Sequence, residues 1–142
     1  MNDTALDLAS GVAAFESKDF SKAQQLLSPL AESGNAEAQY RLAIICQNGL
    51  SAAENKEKGL EWMQLAADQG HALAQHGMGF AYLHGEGTTV DEQAALKWFT
   101  LAAEQGLAGS QMTLGMMYEQ GTGVEKDSVE AKKWYQMAET NE

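Results

Sequence analysis

A single cysteine and a single proline in 142 residues already narrow the possibilities. Cys46 cannot close an internal disulfide, so the fold is not a stapled framework. Proline interrupts the chain only at Pro29, where it can donate nothing to the Gln25 carbonyl and its ring crowds that turn. A kink or an early helix end is expected there. Positive charge is also scarce: 9 Lys and Arg stand against 20 Asp and Glu, a formal net charge of −11. A phosphate backbone and an anionic bilayer surface would both be repelled, which argues against nucleic-acid and membrane partners. No apolar run is long enough to cross a bilayer. The opening Met1-Asn2-Asp3-Thr4-Ala5-Leu6-Asp7 has acids where an export signal needs positive charge. A cytoplasmic protein is expected.

Chemistry-bearing motifs are missing as well. There is no Cys-x-x-Cys, no His-Glu-x-x-His and no phosphate-cradling glycine loop with its lysine. His76 and His84 are eight residues apart on one helix, about two turns, too far to share a metal directly. Ser and Asp are plentiful, yet the sequence pairs no nucleophile with a base. Neither catalysis nor a metal nor a cofactor is expected.

What is present is a fixed period. Trp62, Trp98 and Trp134 recur every 36 residues, and so do Gly34, Gly70 and Gly106. Ala38, Ala74 and Ser110 keep that step, and Asp19, Asn55, Asp91 and Asp127 extend it toward the amino end. A repeat of roughly 20–50 residues marks stacked supersecondary units. The units run over about 3–35, 36–71, 72–107 and 108–142 of one domain, 1–142.

Each unit reads as two helices. A first helix from about Asp3 to Glu16 ends at Lys18-Asp19, and Asp19 caps the next, which carries Phe20, Ala23, Leu26, Leu27 and Leu30. Later first helices span about Glu37–Asn48, Leu73–His84 and Gly109–Gln120, ended by Gly49, Gly85 and Gly121. Asn55, Asp91 and Asp127 cap the second helices, and Asp127 to Glu130 has capping-box spacing. The triplets Trp62-Leu65-Ala66, Trp98-Leu101-Ala102 and Trp134-Met137-Ala138 read as packing stripes at i, i+3, i+4. No stretch alternates with a period of two. Ala43, Gly79 and Gly115 share one mid-helix position, where glycine costs about 1 kcal/mol relative to alanine, so a close helix contact must compensate. Gly59, Ala95 and Ala131 are the small residues expected to face them, with tryptophan filling the space alongside. Cys46 occupies the position of Tyr82 and Tyr118 and is expected to be a buried, inert thiol.

Together, Met78-Gly79, Leu114-Gly115, Tyr82 or Tyr118, the Gly-x-Gly loops, the capping aspartates and the Ala-x-x-Trp-[Phe/Tyr] and Ala-Ala-Glu-Gln-Gly runs resemble the Sel1-like repeat, a relative of the tetratricopeptide repeat. Residues 73–108 match throughout and residues 109–139 nearly so. The unit at 37–72 departs, with Gly49-Leu50-Ser51 lacking the second glycine, Cys46 in place of tyrosine and Gly59 in place of alanine. The first unit looks like an ordinary tetratricopeptide repeat: Gly11 and Ala23 are 12 apart where Gly79 and Ala95 are 16 apart.

The resemblance implies an all-α fold, a right-handed α–α superhelix (solenoid) of four helix–turn–helix repeats with first helices on the concave side. It also implies a non-catalytic adaptor or scaffold that binds a protein or peptide. The related repeat's concave positions carry over to Tyr40, His76 and Met112 in one row and to Ile44, Phe80 and Met116 in a second. Gln47, Leu83 and Glu119 form a third row, and Asn48, His84 and Gln120 a fourth. The first two rows are mostly apolar and contain methionine, which suits an adaptable groove. The chain ends at Glu142, directly after a second helix, so self-association through the carboxyl-terminal repeat is a further expectation. The alternative is an acidic inhibitor or immunity-type protein that neutralises a basic effector.

Overall fold

The computed structural model describes residues 4–141. The helix start expected at Asp3 and the chain end at Glu142 lie outside the described residues. All regular structure among the described residues is helical: α1 Thr4–Glu16, α2 Phe20–Glu32, α3 Ala36–Asn48, α4 Lys56–Asp68, α5 Ala72–His84, α6 Glu92–Glu104, α7 Ala108–Gln120 and α8 Ser128–Thr140. Three first helices begin one residue earlier than the sequence suggests. The chain divides into two compact units, one up to Gln69 and one from Gly70 onward.

The same device sets the loop in each hairpin. In the first unit the Asn55 side chain accepts from the Lys58 N–H, and its own N–H donates to the Cys46 carbonyl at 2.8 Å. In the second unit Asp91 accepts from Ala94 N–H while donating to the Tyr82 carbonyl at 2.8 Å, and Asp127 donates to the Tyr118 carbonyl at 2.9 Å. That last bond uses the N–H a capping box would give to Glu130. The Glu130 carboxylate turns instead toward Lys133 Nζ at 3.4 Å, so only half of the expected box forms. Asp19 donates to the Ala14 carbonyl, five residues back where the others reach nine, which is the shorter loop of the first hairpin.

Pro29 neither ends α2 early nor stands at its close, because the helix continues to Glu32. Gln25 and Pro29 are both exposed, so water can take the carbonyl that proline leaves without a donor. Ser28 Oγ donates to the Gln24 carbonyl at 2.6 Å and Ser33 Oγ to the Pro29 carbonyl at 3.0 Å, holding the turns on either side.

The core of the first unit gathers Ala14, Ala23, Leu27, Leu30, Ala31, Ala38, Leu42 and Ile45, with Phe15, Phe20 and Trp62 packed against it. In the second unit Ala95, Phe99, Ala103, Leu114 and Met117 are buried together, with Tyr82, Leu83, Tyr118 and Trp134 around them. The tryptophan stripe needs correcting. Ala66, Ala102 and Ala138 are buried, but Trp62, Trp98 and Trp134 are half-buried and Leu65, Leu101 and Met137 are exposed. The residue after the tryptophan goes inward instead at Met63 and, most completely, at Phe99, while Tyr135 is half-buried like Trp134.

This register also corrects what fills the space at the small residues. A Cβ on Gly79 would fall 2.8 Å from Phe99 Cγ, and one on Gly115 would fall 2.6 Å from Tyr135 Cδ1. An aromatic ring from the second helix lies directly on the glycine, and tryptophan does not take that place. In the first unit Gly59 plays the close-contact role, its absent Cβ 2.9 Å from the Ala43 carbonyl oxygen. The mid-helix glycines therefore admit a ring, and burying that ring offsets the roughly 1 kcal/mol of lost helix propensity.

Candidate interaction surface

In the second unit Phe80 follows one turn after His76 on α5, while Met112 and Met116 stand one turn apart on α7. Phe80 is 50% exposed, Met116 45% and Met112 39%, high for large apolar side chains in a helical core protein. Leu83 is half-buried against the core, and His84 is exposed with its ring 4.4 Å from that of Phe80. Glu119 and Gln120 are exposed at the end of α7. Tyr135 Oη donates to Glu119 Oε1 at 3.2 Å, and burial together with that carboxylate raises the phenol's pKa.

His76 is less available than its neighbours. It is half-buried, its ring meets Phe99 edge-on at 5.1 Å, and Nδ1 lies 2.7 Å from Ser110 Oγ. Burial lowers its pKa. This pair corrects the expectation that no nucleophile meets a base. It forms because Ser110 takes the fully buried position that alanine holds in the other units, and its hydroxyl needs a partner there. With Ser110 wholly enclosed, no substrate carbonyl can reach its oxygen in this arrangement.

In the first unit the equivalent apolar positions are less exposed. Tyr40, Ile44 and Gln47 are all half-buried along α3, and Asn48 is exposed with Nδ2 donating to the Ile44 carbonyl at 2.9 Å. Burial raises the Tyr40 phenol pKa. Cys46 is half-buried, less than expected, and burial raises its thiol pKa, which keeps it in the unreactive protonated form. Among α3, α5 and α7 the exposed large apolar side chains are thus on α5 and α7.

Sequence reasoning passed over a second recurring set. Gln39, Gln75 and Gln111 are buried at the 36-residue step. Gln39 Nε2 donates to the Ala31 carbonyl and Gln111 Nε2 to the Ala103 carbonyl, both at 3.1 Å. Gln69 Nε2 donates to Gln39 Oε1, Gln105 Nε2 to Gln75 Oε1 and Asn141 Nδ2 to Gln111 Oε1, at 2.8–3.0 Å. These amides give helix-end carbonyls inside each unit a further donor, beside the N–H of Gly34 at Ala31 and of Gly106 at Ala103. The signal was their register, the same step that marks the tryptophans. His71 was also passed over: its Nδ1 accepts from Ala74 N–H and caps α5.

Among the described residues no three His, Cys, Asp or Glu side chains are grouped to hold a metal, and no helix is long and apolar enough to cross a membrane. Repeating helical hairpins around alanine-rich cores define an α-solenoid repeat protein. The Sel1 repeat model matches residues 11–35, 36–71, 72–107 and 108–141, and the chain belongs to the Sel1 repeat family. Members of this family are generally protein-interaction scaffolds.

The chain is similar to a Sel1 repeat protein from Oxalobacter formigenes, with 30% identity, a TM-score of 0.91, and coverage of 95% of this chain and 56% of that one. It is also similar to a protective antigen present in uropathogenic Escherichia coli strains that displays the same repeat fold. There identity is 33%, the TM-score 0.91, and coverage 96% of this chain and 30% of that one. The chain therefore spans under two thirds of either relative. Cysteine-rich protein B of Helicobacter pylori shares the fold alone, at 21% identity and a TM-score of 0.68, with coverage of 87% of this chain and 88% of that one. Among curated protein sequences none matches.

Proposed function

We propose that this chain is a non-catalytic adaptor or scaffold, one domain of four repeats, which binds a partner's protein segment against its first helices. The supporting observation is the exposure of Phe80, Met112 and Met116 on α5 and α7. Solvent-exposed apolar rows of this size usually mark interaction surfaces, and methionine repacks readily against differing partners. His76, Leu83, His84 and Glu119 complete the proposed surface of the second unit, and Tyr40, Ile44 and Gln47 are the candidates on the first. The adaptor is assigned to the cytoplasm, where its lone cysteine needs no partner.

The test is capture of a partner by the wild type and by a Phe80→Ala/Met116→Ala variant with unchanged helicity and melting. Weakened capture is expected; unchanged affinity overturns the assignment. The net charge of −11 favours a second reading, an acidic neutraliser of a basic effector. High salt separates the two, because it dissociates a charge-held complex and leaves an apolar one intact. Val129 and Met137 are exposed on α8 and support self-association through that repeat. A strict monomer in sedimentation at high concentration rules this out.

A further inference from the structure

Resting on the groove reading above, we propose that the second unit takes a cationic amphipathic segment, with Glu119 as the residue that reads its charge. Helices α5 and α7 carry no Lys or Arg at all, and Glu119 is their one acidic residue. It lies on the same stripe as the exposed methionines, since Met112, Met116 and Glu119 are spaced i, i+4, i+7 on α7. By helix rise the carboxylate stands about 4.5 Å beyond Met116 along the axis and about 10 Å beyond Met112.

Two contacts prepare that carboxylate. Tyr135 Oη donates to Oε1 at 3.2 Å, and the Tyr135 ring rests against Gly115, which sets the hydroxyl beside the carboxylate. The second unit's basic residues lie elsewhere: Lys97 on α6, Lys132 and Lys133 on α8, and Lys126 in the preceding loop. Lys133 is itself paired with Glu130.

This distribution decides the sign of the occupant. A segment seated on Met112 and Met116 covers Glu119 and takes water from it. A carboxylate losing water needs a compensating charge or the complex is penalised. A Lys or Arg one turn beyond two apolar side chains supplies it and gains a charge-assisted bond. An acidic segment meets repulsion from Glu119 and finds no Lys or Arg on either helix. The chain's overall negative charge adds long-range attraction for the same kind of ligand.

The experiment uses the full chain and three fluorescein-labelled peptides of about 18 residues, near the length of five helical turns. One is a Leu/Lys amphipathic helix, one replaces Lys by Glu, and one scrambles the Leu/Lys sequence so that no apolar stripe remains. Binding is read by anisotropy at low and high salt, for wild type, Phe80→Ala/Met116→Ala and Glu119→Gln. The Leu/Lys helix is expected to bind. The double variant should weaken it by more than about tenfold. Glu119→Gln should weaken it by about two- to fivefold and flatten its salt dependence. The Leu/Glu helix should not bind.

If the double variant weakens binding but Glu119→Gln changes nothing, or if the Leu/Glu helix binds as well in a Phe80-dependent way, the charge assignment falls and the groove stands. If neither variant alters binding of any peptide, both fall. Equal binding of the scrambled peptide reduces the attraction to overall charge and overturns the assignment. Glu119 is exposed, so its glutamine variant is not expected to perturb folding.

Discussion

The Phe99 ring lies so near the Gly79 backbone that a Cβ there would sit 2.8–2.9 Å from three of its carbons. Phe99 is only 1% exposed and cannot move aside without opening the core. Gly79→Ala should therefore destabilise the protein by about 1–3 kcal/mol, although alanine is the better helix former. Gly115→Ala should cost less, because the half-buried Tyr135 ring can swing outward. Paired urea titrations of the two variants check the order. A stabilised Gly79→Ala protein would show that the ring is not held there.

The tryptophans invite the opposite comparison. The triplet pattern singles out Trp98, yet the chain buries Phe99 and leaves Trp98 half-exposed. Phe99→Ala should cost about 3–5 kcal/mol, whereas Trp98→Ala should cost clearly less. Thermal melts of both variants decide the point, and a larger loss at Trp98 would contradict the burial order.

That inversion shows which features the sequence makes legible. A 36-residue step, glycine helix ends and capping Asn or Asp place the bounds of α3, α5 and α7 and the starts of α4, α6 and α8 to within a residue, because these signals act through local backbone chemistry. Pro29, by contrast, does not end α2 where its missing N–H suggests. Which of two adjacent aromatics turns inward is set by the rotation of one helix against another, and spacing alone does not specify it. The same limit explains Ser110. It reads as one more small residue in register until the fold brings His76 from 34 residues away to its hydroxyl. The exposure of Phe80 and Met116 was inferable from their position off the packing stripe, while the anchoring of Glu119 by Tyr135 depends on how α8 lies on α7.

Gln111 offers a test of the buried amides. It is fully enclosed, donates to the Ala103 carbonyl at 3.1 Å and accepts from Asn141 at 3.0 Å. Gln111→Leu fills a similar volume, and the Ala103 carbonyl keeps its bond from the Gly106 N–H at 2.9 Å, so the expected cost is that of one buried hydrogen bond, about 0.5–1.5 kcal/mol. Asn141→Ala touches the same node from an exposed position, where water can replace the lost donor, and should cost little. Chemical denaturation of the two single variants checks the order, and a loss at Asn141→Ala as large as that at Gln111→Leu would contradict it.

His76 gives the fold a pH dependence whose sign follows from burial. Its pKa is lowered in the folded chain, whereas the unfolded chain titrates near 6.5. Above that value both states are neutral and the full stability is present. As pH falls below about 6.5 the unfolded state takes up the proton first, so stability declines until the folded-state pKa is also passed. A control can be built from residues other repeats already use, Met at position 76 as at Met112 and Ala at position 110 as at Ala38 and Ala74. The His76→Met/Ser110→Ala protein loses the buried imidazole together with the hydroxyl that depends on it, so neither group is left unpaired. Between pH 7.5 and 5.5, above the range where ordinary carboxylates titrate, the wild type should lose more stability than this variant. His71 and His84 are present in both proteins and cancel in the difference. Equal slopes of unfolding free energy against pH would mean that His76 reaches water freely enough to be protonated in the folded state, and that its contact with Ser110 does not exclude the charge.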